Sequence, residues 1–237
     1  MTTSDHLVRD LAPTGVLRAA INLGNPVLTN GTPQNPGGVT VAIARELADR
    51  LGVPLQMLCF DAARKSLAAI VDGDADLTFL AIEPAREDEV HFSRPYLTIE
   101  GVYVTGQEHA FASAGEVDRD GVRVGVKEGS AYDLYLTRTL EHAEIVRGVD
   151  GVDVYVAEGL DVGAGIRQPM KSFVQENPSH RVLEPAFMQI RQAVGIPKTR
   201  LETSAAYVAD LVEELLASGF IRDALLDAGQ DPGLARG

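Results

Sequence analysis

The chain has 237 residues, enough for one large domain or two modest ones, each with its own core. Its net charge of -13 argues against a nucleic-acid partner, which needs a basic surface to displace counterions from phosphates. With 45 % hydrophobic and 23 % charged residues it has the balance of a folded enzyme or binding protein, and no apolar run is long enough to cross a bilayer.

After a polar N-terminal arm, GVLRAAINL reads as a strand, and NPVLTNGTPQNPGG, crowded with Asn, Pro and Gly, reads as a loop. VTVAIARELADRLG places Ile43, Leu47 and Leu51 at helical spacing, with Gly52 where a helix stops. VPLQMLCF is a strand, RKSLAAIVDG a helix ended by Gly73, and ADLTFLAI another strand. Cys59, the only cysteine, cannot form an intrachain disulfide and reads as a small buried apolar residue. In AIEPAREDEV, Ala85 to Glu89 read as a helical turn that sets Arg86 just past the strand's carboxyl end.

A second unit begins after GVYVTG. GVRVGVKEG is strand and turn, and SAYDLYLTRTLEHA is a helix with Ser130 at the N-cap and Asp133 positioned to reach back. EIVRGVD and DVGAGIRQ supply strands, and MKSFVQENP a helix. SAAYVADLVEELLASG puts Val208, Leu211, Val212 and Leu215 on one face before Gly219. Such alternation predicts an α/β fold of two lobes, with ligands near the carboxyl ends of its strands.

Three places attract chemistry. Arg86 is either a cation that meets a ligand carboxylate through paired hydrogen bonds or a surface residue paired with Glu83, Glu87 or Asp88. Ser130, with Ala131 beside it, is either an anion site at a helix N-terminus or an ordinary cap. Arg167 and Gln168 follow a stretch of small residues, and Arg167 is either a second anion contact or a plain surface charge. His6, His91, His109, His142 and His180 show no ligand spacing, so no metal is expected, and the absence of phosphate-loop, dinucleotide and nucleophile-elbow motifs predicts no cofactor.

Several ordered segments resemble the extracytoplasmic solute-binding proteins of family 3, the amino-acid receptors of ABC transporters. They are GVTVAIARELADRLGV, the block DADLTFLAIEPAREDEVHFSRPY, the stretch GVRVGVKEGSAYDLYL and the terminal helix before GF. The resemblance runs from GVLRAAINL to LLASGFIRDALL. It implies a type II periplasmic-binding-protein fold with a ligand cleft between two lobes: 1–105 and 195–237 in lobe one, 106–194 in lobe two. It further implies that Arg86 grips a ligand α-carboxylate, helped by the Ser130 hydroxyl.

Departures from the family pattern shape the expected ligand. Ala81 stands where the family has Ser or Thr, Asn25 and Ala63 where it has aromatics, and Asn22 where it has an acid. The family's ammonium-receiving Asp falls at Ile166, beside Arg167. An arginine there opposes an ammonium group, so the expectation is a carboxylate ligand without one.

The expected protein is thus a monomeric, non-catalytic receptor for a small carboxylate-bearing solute, with an ABC permease as a further partner. The alternatives are a cyclohexadienyl-dehydratase-like lyase, for which Glu83 and Glu128 are the nearest acids, and a cytosolic sensor. The N-terminal MTTSDHLVRDLAPTG has no secretory-signal pattern; either a leader was removed from a periplasmic protein or the chain is cytoplasmic.

Overall fold

A computed structural model of the chain describes residues 3–235. It opens with α1 (Thr3–Leu11), where the sequence reads as a polar arm. Leu7, Val8 and Leu11 recur on one helical face, and Leu11 is fully buried, so tertiary packing stabilises a segment that is polar by count.

β1 (Leu17–Asn22) is followed by a short hairpin, β2 (Asn30–Thr32) with β3 (Asn35–Gly37), inside the stretch read as loop. Next come α2 (Val39–Leu51), β4 (Leu55–Phe60), α3 (Ala63–Val71), β5 (Leu77–Ala81) and the single turn α4 (Pro84–Glu87). Ile43, Leu47 and Leu51 are buried on α2, and Gly52 ends it in the left-handed conformation. Cys59 is only partly buried.

The long strand β6 (Val90–Gly106) leads to β7 (Arg123–Lys127), α5 (Ala131–Thr139), β8 (Glu144–Gly148), α6 (Gly151–Glu158), β9 (Val162–Ile166) and α7 (Arg167–Glu176). A second long strand, β10 (His180–Pro197), returns the chain to α8 (Glu202–Ala217) and α9 (Phe220–Asp227). α6 is not among the elements expected from the sequence, because GVDVYVAE alternates like a strand. What makes it a helix is Asp150, whose carboxylate accepts the Val152 amide at 2.9 Å and the Asp153 amide at 3.4 Å.

The residues up to Thr98 and those from Arg191 onward form one compact unit, and Ile99–Ile190 form another. These boundaries fall inside β6 and β10, a few residues from the expected edges at 105/106 and 194/195. The strands are continuous across them: Gly101 to Val104 of β6 pair with β9, whereas Gln192 to Gly195 of β10 pair with β5.

In the first unit the strand order is β4-β1-β5-β10, with β1 parallel to β4 and β5 and β10 antiparallel to β5. Every residue of β5 is buried, the mark of a strand covered on both faces. In the second unit the order is β6-β9-β7-β8, with β7 parallel to β8 and β9. Val102, Val104, Val154, Tyr155, Leu160 and Met170 form a core there.

Gly38 precedes α2 with φ +96°, and a Cβ at that position would run into the Leu28 carbonyl oxygen and come within 2.8 Å of the Thr29 Cα. Both are backbone atoms that cannot swing aside. Gly38→Ala is expected to lower unfolding stability by about 1–3 kcal/mol in denaturant titrations; an unchanged midpoint would contradict this account.

Candidate functional site

In the first unit, β5 delivers Ala81 to the carboxyl end of the sheet, and Pro84 at the start of α4 turns the chain so that Arg86 folds back on it. Arg86 is 2 % exposed, which excludes the reading as a surface charge. Its Nη1 donates to the Ala81 carbonyl at 3.1 Å, and its amide donates to the Glu83 carbonyl at 2.8 Å. Burial pushes the guanidinium down to about 10, opposed by the charge of Glu83, itself 3 % exposed. Arg86 therefore remains a cation at neutral pH, held where water screens it little.

Asn22 and Asn25 shape the loop after β1. The Asn22 Oδ1 accepts the Gly24 amide at 3.0 Å, and the Asn25 Oδ1 accepts the Val27 amide at 3.2 Å. Both are side-chain-closed turns. The Thr29 hydroxyl joins them by approaching the carbonyls of Asn22 and Asn25 at 2.9 and 3.0 Å.

In the second unit, Ser130 caps α5, its Oγ accepting the Asp133 amide at 3.0 Å. Asp133 reaches back as expected but to the Gly129 amide, at 2.8 Å. Ala131 is buried in the first turn. Arg167 and Gln168 follow directly on the last residue of β9 and form the first turn of α7, with Ile166 as the N-cap residue.

Arg167 is engaged on three sides. Its Nη1 and Nη2 donate to the two carboxylate oxygens of Glu184, at 2.5 and 2.8 Å, and its Nε donates to Glu100. Two carboxylates around one guanidinium leave a net negative charge. This corrects the argument that Arg167 repels an ammonium group, because its own charge is already met. Glu100 and Glu184 were not singled out in the sequence; they stand 67 and 17 positions from Arg167, and no local pattern announces the pairing.

The bond from Arg167 holds the Glu184 carboxyl below its ordinary range. A depressed carboxyl contributes stability that is present above its unfolded pKa and lost as pH falls through the folded one. Arg167→Met is expected to move the Glu184 titration, followed by carboxyl NMR, back up toward the ordinary glutamate range. An unmoved titration would break the assignment.

Ala81 and Arg86 are thus bonded together, Asn22 and Asn25 share a loop, and all four belong to the first unit; Ser130, Ala131, Arg167 and Gln168 belong to the second. Among the described residues no group of three or more His, Cys, Asp or Glu is placed to hold a metal ion, and no helix is long and apolar enough to cross a membrane.

The order and pairing of these elements define the type II periplasmic-binding-protein fold. A mutant of ArgBP from T. maritima superposes with a TM-score of 0.74 at 20 % identity, covering 93 % of this chain and 97 % of that one. AbpA of Streptococcus pneumoniae, an amino acid ABC transporter substrate-binding protein solved bound to L-arginine, gives a TM-score of 0.74 at 20 % identity over 92 % of this chain and 96 % of its own.

Residues 17–222 match the bacterial extracellular solute-binding proteins, family 3, and the chain belongs to that family. The virulence sensor protein BvgS of Bordetella bronchiseptica is 31 % identical over 129 residues, which are 54 % of this chain and 10 % of the sensor. The match thus spans about a tenth of that relative's length.

Proposed function

We propose that the chain captures a small amino-acid-like solute through its carboxylate, with Arg86 as the gripping cation and the Ser130 hydroxyl as a helper. The observation that carries this reading is a guanidinium 2 % exposed at the carboxyl end of a buried parallel strand, where α/β folds bind ligands. A desolvated guanidinium suits the two oxygens of a carboxylate.

The ligand's ammonium group is compatible with the second unit, because Glu100 and Glu184 offset Arg167. That AbpA was solved with L-arginine supports the same class of ligand. The chain acts as a monomeric receptor that hands its solute to an ABC permease. A second reading, favoured by the likeness to BvgS, makes the same binding event the input of a sensor.

A thermal-shift screen against amino acids, keto acids, dicarboxylates and cyclic carboxylates tests the reading, with mass spectrometry of each mixture. A ligand that raises the melting temperature and is recovered intact supports it, since binding to the native state stabilises by mass action. A ligand recovered lighter by one water would replace it with a lyase.

A further inference from the structure

We propose that the first unit carries a second ligand site, distinct from the one proposed at Arg86, for a small zwitterion with an aliphatic spacer. The site is a groove of about 430 Å³ between α2 and α9, within the size range of small-molecule pockets. Neither Arg86 nor Ala81 lines it.

The walls carry opposite charges. Arg45 opens onto the groove from α2, and Asp223 and Asp227 open onto it from α9, with Val41 and Phe220 supplying apolar surface. Asp223 and Asp227 are four residues apart, so they share one helical face, and like charges in that relation destabilise a helix unless a cation sits with them. No hydrogen bond or ion pair engages the side chains of Arg45, Asp223 or Asp227 among the described residues. The contrast with Arg50 on the same helix is sharp: it is paired with both Glu46 and Glu214.

Arg45 and the two aspartates thus face one cavity without reaching each other. A molecule with an ammonium group at one end and a carboxylate at the other satisfies both walls, and its methylenes cover Val41 and Phe220. A second copy of this chain is a poor occupant, since each carries a net charge of -13.

The test is an amide NMR titration of the full chain with ε-aminocaproate and γ-aminobutyrate, alongside butylamine and butyrate. The expected result is a set of shifts confined to residues 37–45 and 220–228, with a zwitterion binding more tightly than either singly charged probe. Asp223→Asn with Asp227→Asn should weaken that binding about tenfold, and Arg45→Gln about threefold, as for exposed charge pairs. Shifts absent from these segments, or equal affinity for the singly charged probes, would overturn the proposal. Shifts clustered around residues 79–88 would assign the zwitterion to the proposed Arg86 site, leaving the proposed function standing while the groove site fell.

Discussion

Asp76→Ala is expected to lower the unfolding free energy by about 3–5 kcal/mol, the usual consequence of removing one partner from a buried charge network. Asp76 is fully buried immediately before β5. Its carboxylate accepts from the Arg18 backbone amide at 3.1 Å and from the Arg18 Nε and Nη2 at 2.9 and 2.8 Å. Arg200 Nη2 adds a fourth bond at 2.7 Å. One side chain thus ties β1 to the segment that follows β10, and its loss leaves two guanidinium groups, each less than one-quarter exposed, without their carboxylate. Urea titration reads the effect. A midpoint within error of the wild type would show that the network contributes nothing net.

Arg86→Met is expected to abolish the ligand-induced rise in melting temperature and to weaken carboxylate binding by roughly 2–5 kcal/mol, the range for truncating one half of a buried charge pair. Methionine preserves much of the buried volume, so the loss falls mainly on charge and hydrogen bonding. Glu83, also buried, then lacks the cation beside it, and some stability should go with the affinity. Arg86→Met combined with Glu83→Gln separates the effects: stability should return in part, whereas binding should not. Calorimetric titration of a folded variant that binds as tightly as the wild type would remove Arg86 from the site.

Many signals that act within a few residues were readable in the sequence, although the Asp150 cap of α6 was masked by the strand-like alternation of GVDVYVAE. Ile43, Leu47 and Leu51 with Gly52 announce α2 and its end, and Ser130 announces the start of α5. Pro84 after a run of apolar residues places Arg86 at a strand's carboxyl end. Helical period, strand alternation and capping are short-range effects, and the order of the elements follows from them.

The electrostatics lay beyond that reach. Whether Arg86 was a surface residue or a buried cation depended on what packs over α4, and Arg86 was resolved only by its burial. Asp76 finds Arg18 and Arg200 at separations of 58 and 124 positions, and Arg167 finds Glu100 at 67. The strength of a charge pair depends on distance through space and on the local dielectric, neither of which is a function of spacing along the chain. The sequence by itself determined most of the α/β elements and their order and put forward Arg86, Ser130 and Arg167; the tertiary structure alone decided that Thr3–Leu11 and Gly151–Glu158 are helical, which charges are buried and which are already met, because those outcomes depend on packing and distance through space.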